Sequence, residues 1–260
     1  MYSELLIWPS TMAERELSAS EARSLVSKAC DAFPVDPLIF NRDSSGRTLN
    51  EVAEPAETGG VPIVAAPRVC FGGGRGFLRL TGLGRSGKTV LAENAQLIGT
   101  AIGNLFESPW RFKFNEGQCT IAWSPMATMY YLPALVLTKR GNVVDRYSKD
   151  ERSSLEQLIP LIKSTIVSGL IGQARMLDED DGGGREAAIP SDEMLHLTVL
   201  SGKPMWLRIN DRAHALMVTN LVVSMDLDLS GPWYTGKLRS RGYGRVFRHD
   251  STRHAMRGQR

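Results

Sequence analysis

Strand-like and helix-like segments alternate in a fixed order along the first half of this chain. The segment Glu4 to Trp8 predicts a short strand, and the apolar spacing from Ser18 to Ala32 predicts a helix. Two more strands are expected at Ile63 to Phe71 and Phe77 to Thr81, and a second helix at Thr89 to Leu105. The resulting β-α-β-β-α order predicts an α+β fold for this half.

The second half is predicted to place one long helical region among strands. Trp110 to Phe114 and Cys119 to Trp123 predict a hairpin. Apolar residues at helical spacing run from Leu155 to Leu170, and Pro160 is expected to kink or divide this helix. The acidic, glycine-rich stretch Asp178 to Gly184 predicts a flexible linker. Other strands are expected at Pro37 to Phe40, Met194 to Leu200, Pro204 to Ile209 and Leu216 to Leu229.

These segments predict two α+β domains, residues 1–125 and 126–260. The second is expected to carry a helical insertion at about 139–188 and to end in a basic tail. A chain of 260 residues with 42% hydrophobic content is long enough to bury one large core or two smaller ones.

Composition excludes several protein classes. No apolar run reaches the length of a membrane span, and the first residues lack the features of a signal peptide, so we expect a cytoplasmic protein. Cys30, Cys70 and Cys119 are odd in number and lack the spacing of zinc ligands. We therefore expect buried free thiols, with no metal site and no cofactor.

Positive charge is concentrated at the end of the chain. Residues 237–260 contain eight basic residues and one acid, a net charge of +7, whereas the other residues sum to −4. Such asymmetry is typical of a segment that meets a polyanion, because neutralised phosphates release their condensed counterions. A solvated tail has the same composition, so this feature alone does not identify a ligand.

Gly82 to Thr89, Gly-Leu-Gly-Arg-Ser-Gly-Lys-Thr, satisfies the P-loop pattern, in which Lys88 would bind phosphates and Thr89 magnesium. Arg79 interrupts the strand before the motif, whereas the parallel strands of nucleotide-binding folds are continuously apolar. Repeated β-α units are also lacking after it. We interpret the match as coincidental and keep a P-loop NTPase as an alternative.

The segment Thr235 to Val246 predicts a basic glycine-rich loop. Its glycines allow close backbone approach and positive φ angles, its cations supply charge, and the neighbouring aromatic rings can stack or pack. A hairpin turn whose arginines face water would have the same composition.

Three segments of this chain resemble one protein family. Gly236 to Val246 resembles the C-terminal glycine-rich loop of the repeat-associated (RAMP) endoribonucleases that process CRISPR repeat transcripts. Val69 to Gly84 and Leu229 to Gly236 resemble the central glycine segment and the approach to the loop in the type IV branch of those enzymes. Only these segments carry the resemblance.

The resemblance implies two ferredoxin-like (RRM-like) domains, with a helical finger inserted in the second and lying against an RNA stem. It also implies metal-independent cleavage at the base of a repeat hairpin by the substrate's own 2′-hydroxyl. The implied partners are the CRISPR repeat hairpin, the mature crRNA and the other subunits of a type IV effector complex, with no membrane. A non-catalytic crRNA-binding RAMP subunit is the main alternative.

The resemblance also implies candidate site residues. Most relatives use a histidine on the first helix, but the first histidine here is His196 and the first helix offers Arg23. Because arginine stays protonated near neutrality, it suits phosphate stabilisation better than proton abstraction. We therefore predict Arg23, Arg47 and Arg241 as catalytic residues. The predicted RNA-binding residues are Gly72, Gly73, Gly74, Arg75, Lys139, Arg140, Arg146, Lys149, Arg152, Trp233, Gly236, Lys237, Arg239, Gly242, Tyr243, Gly244 and Arg245.

Overall fold

The computed structural model describes residues 1–47, 49, 53–54, 63–64, 66–137, 154–190, 195–210 and 213–249. The helices are α1 (Ala19–Cys30), α2 (Gly84–Phe106) and α3 (Leu155–Asp181). The strands are β1 (Tyr2–Pro9), β2 (Ala53–Glu54), β3 (Ile63–Val64), β4 (Val69–Gly74), β5 (Phe77–Leu83), β6 (Trp110–Gly117), β7 (Thr120–Val136), β8 (Leu197–Asn210), β9 (Ala213–Ser230), β10 (Trp233–Tyr234) and β11 (Arg245–Arg248).

The first domain is a four-stranded antiparallel sheet covered on one face by two helices. Its strand order is β4-β5-β1-β6, with α1 leading from β1 towards β4 and α2 joining β5 to β6. Leu5 and Ile7 of β1 and Leu80 of β5 are fully buried in the same core as apolar residues of both helices. The predicted β-α-β-β-α order is therefore confirmed, and β6 completes it.

The second domain is a five-stranded sheet in the order β10-β11-β7-β9-β8. It repeats the strand order of the first domain, but a short strand and the glycine-rich loop replace the second helix between β9 and β11. α3 covers one face of this sheet, where Ile162, Ile166 and Leu170 pack in the core with Tyr130 and Val223. The described residues of this domain therefore form a five-stranded antiparallel sheet with one helix on one face.

α3 is a core helix rather than an inserted finger. The predicted insertion at about 139–188 includes residues 139–153, which lie outside the described residues, and residues 155–181, which form α3. Pro160 lies near the start of this helix and does not divide it, so of the two expected effects, a kink or a division, the division is wrong. α3 is long and apolar enough to cross a membrane, contrary to our reading of the sequence. Its apolar residues pack against the sheet, as in the core of a folded domain.

Two other local predictions, a hairpin and a strand, are also wrong. β6 pairs with β1 and β7 pairs with β9, so the expected hairpin is two strands of different sheets. The second sheet consequently begins at Thr120, a few residues before the predicted boundary at 125/126. Pro37–Phe40 is a 3-10 turn capped by the Asp36 side chain, because a proline at its start favours a helical turn over a strand.

The acidic end of α3 joins the two domains and is not a flexible linker. Asp178 and Asp181 both form ion pairs with Arg185, the former at 2.9 Å. Asp180 accepts hydrogen bonds from Arg68 Nη1 at 2.9 Å and from the Arg85 backbone amide at 2.7 Å. Acidic groups oppose the helix dipole at a C-terminus, so these contacts offset an unfavourable position.

Asp180 also explains why the segment Gly82 to Thr89, which matches the P-loop pattern, does not form a phosphate-binding loop. Gly82 and Leu83 belong to β5, and α2 begins directly at Gly84, so no loop separates strand and helix. The Asp180 carboxylate occupies the start of α2, where a phosphate would bind, and Lys88 pairs with Glu116 at 2.8 Å. The surrounding sheet is antiparallel. These features argue against the nucleotide-binding alternative.

We expect Asp180→Asn to lower the free energy of unfolding by about 1–3 kcal/mol, because the Arg68 guanidinium would lose its anionic partner in a partly buried site. Urea denaturation monitored by circular dichroism measures the change. Glu179→Gln is the matched control, since Glu179 is exposed on the same helical turn. Equal stability of the two variants would contradict a structural role for the Asp180 contacts.

Candidate functional site

The glycine-rich loop connects β10 to β11, which pair with each other at Trp233 and Val246. A single 3-10 turn, Arg239–Arg241, forms its tip. Gly236, Gly242 and Gly244 have φ angles of 77°, 84° and 73°. These positive values favour glycine, so the loop's sequence pattern is a requirement of its backbone path.

The loop docks against the first domain. A Cβ atom on Gly242 would lie 1.9 Å from the Phe71 carbonyl oxygen in β4 and 2.4 Å from the Ala19 Cβ at the start of α1. A Cβ atom on Gly244 would lie 1.7 Å from the Thr235 carbonyl oxygen. The close approaches that we expected towards RNA are therefore made first to the protein's own backbone.

A cleft of about 540 Å³ lies beside this contact. The start of α1 forms one wall, β4 a second and the glycine-rich loop a third, and the guanidinium-bearing residues on its lining are Arg79 and Arg245. The N-terminus of α1 is capped reciprocally, since the Ser18 hydroxyl accepts from the Glu21 amide and the Glu21 carboxylate accepts from the Ser18 amide. This cap fixes where the helix presents its side chains.

Arg23 lies where α1, the 3-10 turn at Pro37–Phe40 and the glycine-rich loop meet. Its Nη1 atom donates to the Ser240 hydroxyl at 3.2 Å and its Nη2 atom donates to the Phe40 carbonyl oxygen at 3.0 Å. The guanidinium carbon lies 5.6 Å from the centre of the Phe71 ring. The glycine-rich loop, the 3-10 turn and β4 thus fix the position of one cation on α1.

Burial lowers the pKa of Arg23, and the charges of Arg241 and Arg42 lower it further. The structure therefore brings together two of the three predicted catalytic residues, Arg23 and Arg241, and adds Arg42. Arg47 lies in an exposed turn whose backbone pairs with Asp43. Of the two arginines that follow the 3-10 turn at Pro37–Phe40, Arg42 and not Arg47 contributes to lowering the pKa of Arg23.

A charged network lies on the floor of the cleft, between the domains. Arg245 Nη2 donates to Glu4 Oε1 at 2.8 Å, and the Nε atom of Arg79 lies 4.0 Å from the same oxygen. The Tyr234 hydroxyl donates to the Thr81 hydroxyl at 3.1 Å, and burial raises the pKa of Tyr234 to about 12. One carboxylate, that of Glu4, thus serves two arginines.

The remaining predicted residues divide by accessibility. Trp233 is fully buried and Arg239 is 2% exposed, so both support the loop from inside in this arrangement. Lys237 donates its backbone amide to Val136, and Tyr243 packs beside Val136 and Met217. Arg75 is exposed and pairs with Glu14. Lys139, Arg140, Arg146, Lys149 and Arg152 lie outside the described residues.

The central glycines also accommodate the protein's own atoms. A Cβ on Gly73 would lie 2.6 Å from the Leu17 carbonyl oxygen, and one on Gly74 would lie 2.3 Å from the Phe77 ring. Gly72 leaves ordinary contact distance to the Arg79 side chain.

The cysteines confirm the expected buried thiols. Cys30, Cys70 and Cys119 are all buried and unoxidised. Burial raises the pKa of Cys30 to about 11 and that of Cys119 to about 12, so these two are poor nucleophiles.

Sequence reasoning missed Arg42, Arg79 and Glu4 as members of this site. Arg79 was noticed only as an interruption of an apolar strand. That interruption was the available signal, because a charged residue inside a strand of a two-layer domain points to a functional or interfacial face.

Comparison with known proteins identifies the family of this chain. A family model described as type IV CRISPR-associated endonuclease Csf5 matches residues 4–251. The chain belongs to the Csf5 endonuclease family. No curated protein sequence matches it significantly.

Solved structures show the same fold as this family member. A structure described as Csf5, the CRISPR-Cas type IV Cas6 crRNA endonuclease, aligns with a TM-score of 0.66 and 20% identity over 96% of this chain and 100% of that chain. A structure of Cas6b aligns at 0.58 and 12% identity over 95% and 99%. A second, described as a CRISPR RNA processing endoribonuclease Cas6b, aligns at 0.53 and 10% identity over 96% and 100%. Two packed antiparallel sheets are common to the Cas6 fold and this chain.

We expect Gly242→Ala to displace the glycine-rich loop from β4. Alanine at a left-handed position costs about 1–2 kcal/mol by itself, and overpacking against Phe71 adds about 1–3 kcal/mol. Gly184→Ala is the matched control, because Gly184 also has a positive φ of 66° but has no atom within 4 Å of an added Cβ. The urea midpoints of both variants measure the difference; equal losses would show that the loop does not depend on this contact.

Proposed function

We propose that this chain is an endoribonuclease that binds and cleaves the hairpin of CRISPR repeat RNA and then remains bound to the crRNA. The convergence of Arg23, Arg241 and Arg42 beside the docked glycine-rich loop carries this proposal. Membership of a family named for endonuclease activity supports it.

The proposed reaction is an internal transesterification. The substrate's 2′-oxygen attacks the adjacent phosphorus and loses its proton, while the bond to the 5′-oxygen breaks and that oxygen gains a proton. The products are a 2′,3′-cyclic phosphate and a 5′-hydroxyl. No atom from a metal or from water is needed to balance the step.

Arginines suit this reaction as stabilisers of the phosphorane. A planar guanidinium donates two parallel hydrogen bonds to phosphate oxygens, and its charge offsets the negative charge that develops there. We assign Arg23 and Arg241 to the phosphate, with Arg42 as a supporting cation.

The RNA stem has a separate proposed contact. Lys139, Arg140, Arg146, Lys149 and Arg152 form a basic run between β7 and α3. We propose that this run, in place of the whole predicted insertion, binds the stem of the hairpin. Other subunits of a type IV effector complex remain the proposed protein partners.

A crRNA-binding subunit without nuclease activity is the second candidate. The observation that favours it is that both terminal nitrogens of Arg23 already donate to protein oxygens. If those bonds persist with RNA bound, Arg23 holds the loop in place, and only its Nε–H and the second N–H of Nη2 remain for the phosphate.

We expect cleavage of repeat RNA to continue in EDTA and to yield a 2′,3′-cyclic phosphate and a 5′-hydroxyl. End-group analysis of labelled products identifies these termini. A 2′-deoxy nucleotide at the cut site should abolish cleavage while leaving affinity for the hairpin unchanged, because only the nucleophile is removed. Tight binding without any cleavage would support the binding subunit, and 3′-hydroxyl products would contradict the mechanism.

We expect Arg23→Gln and Arg241→Gln each to lower the single-turnover cleavage rate about 100-fold or more, the usual effect of losing one donor to a developing anion. Affinity for the 2′-deoxy RNA should fall much less. Lys28→Gln is the control, since Lys28 is exposed on the same helix as Arg23. A rate loss matched by an equal loss of affinity would assign these arginines to RNA binding alone.

A further inference from the structure

The first sheet has a face that neither helix covers. Leu5, Ile7, Leu78 and Leu80 point into the helical core, so the alternating residues of β1 and β5 project to the opposite side. The strand register arranges these residues in rows across β4, β5, β1 and β6. One row contains Gly72, Arg79, Leu6 and Lys113, and the next contains Gly74, Phe77, Trp8 and Arg111.

Two aromatic rings lie side by side on this face, with a cation over each. The ring centres of Trp8 and Phe77 are 6.2 Å apart. The guanidinium of Arg111 lies 5.6 Å from the Trp8 ring and that of Arg79 lies 5.2 Å from the Phe77 ring. We call Trp8, Phe77, Arg79, Arg111 and Lys113 the stacking platform.

The glycines of β4 leave room for two side chains of this platform. An added Cβ on Gly74 would lie 2.3 Å from the Phe77 ring, and one on Gly72 would lie 3.6 Å from the Arg79 side chain. Both larger side chains therefore lie down across β4 instead of standing upright from β5. The glycine pattern thus lets the Phe77 ring lie low over β4, next to the Trp8 ring, whose plane is inclined by 48° to it.

The second domain covers only one end of the face. Glu4 and Thr81, in the row beyond Arg79, contact Arg245 and Tyr234. Trp8 and Phe77 lie two rows away and are only half-buried. Arg79 and Gly72 also line the cleft beside the glycine-rich loop, so the platform is continuous with that cleft. Beyond Trp8, a second cleft of about 640 Å³ contains Arg75 and Arg111.

The platform carries unneutralised charge. Among the described residues, no carboxylate lies within ion-pair distance of Arg111 or Lys113, whereas Arg75 pairs with Glu14 and Arg79 shares Glu4. A surface that presents both aromatic rings and free cations matches a nucleotide, whose base stacks while its phosphate binds the cation.

We propose that the stacking platform binds single-stranded RNA that flanks the hairpin, with one base on Trp8 and a second on Phe77. Arg111, Lys113 and Arg79 bind the phosphates between and beside them. This inference rests on the proposed function for the identity of the ligand, but it assigns a separate binding site outside the arginine cluster. The strand would run from the cleft across the platform towards Arg75.

Three RNAs test the proposal by fluorescence anisotropy, and the two that contain the hairpin carry a 2′-deoxy nucleotide at the cut site. They are the bare hairpin, the hairpin with single-stranded flanks of about 8 nucleotides, and the unstructured flank alone. Wild-type protein should bind the flanked hairpin more tightly than the bare one. Trp8→Leu and Phe77→Leu keep an apolar side chain and should each lower affinity for flanked RNA by about 5-fold or more.

Phe112→Leu is the matched control, because Phe112 is a half-exposed ring on the other side of β6, stacked on Trp110. This variant should bind the flanked hairpin more tightly than the bare one, by the same factor as the wild type. Arg111→Gln is a surface change that tests the platform without risk to the core, and it should reduce that factor.

Three results would overturn the proposal. The first is equal affinity of the wild type for the flanked and the bare hairpin. The second and third are an undiminished preference for the flanked hairpin in Trp8→Leu and Phe77→Leu, or in Arg111→Gln. If no hairpin binds at all, the proposed function fails separately. Binding of the unstructured flank alone then tests the stacking platform, because this binding should still depend on Trp8. Binding of a protein partner that Trp8→Leu abolishes, with RNA affinity unchanged, would replace RNA as the ligand.

Discussion

The architecture depends on how one hairpin of the second domain contacts the first domain. β10 and β11 belong to the second sheet, yet their side chains reach Glu4 and Thr81 on the first. The loop between them packs a glycine directly against the carbonyl of Phe71. Because the arginine cluster is assembled from both domains, its geometry exists only while this contact holds.

The contact is polar at its centre, and this affects how strictly the two domains are oriented relative to each other. Glu4 is partly buried, and it is stabilised there by Arg245 at hydrogen-bonding distance and by the more distant charge of Arg79. Removing one member of such a network leaves the others desolvated and unpaired, which is costly. The two domains are thus held in one relative orientation by directional bonds, whereas apolar packing alone would tolerate sliding.

The first domain was predictable from sequence because its periodicities are local. Alternation in β1 and helical spacing in α1 and α2 are each encoded within one segment. The second domain was harder, because β7 is interrupted by a bulge between Trp123 and Thr128 and begins immediately after β6. Adjacent strands with a turn between them resemble a hairpin, and nothing local shows that they join different sheets.

The site was predictable only in part for a related reason. Glycine and arginine in the C-terminal loop gave a signal by composition, and they also carried a family resemblance. Arg42 and Glu4 are distant in sequence from Arg241 and Arg245, so their association depends on the tertiary contact between domains. Arg239 illustrates the opposite error, since a charged residue in a basic loop is 2% exposed.

Asp180 has a consequence for how sequence motifs should be interpreted. Its carboxylate lies at the start of α2 and accepts the Arg85 amide, so the protein supplies its own anion where a nucleotide-binding protein would bind phosphate. The literal motif from Gly82 to Thr89 therefore describes a helix start with an intramolecular ligand. A segment can therefore match the sequence of a phosphate-binding site and still bind no phosphate, because a carboxylate of the same chain fills the position that the phosphate would need.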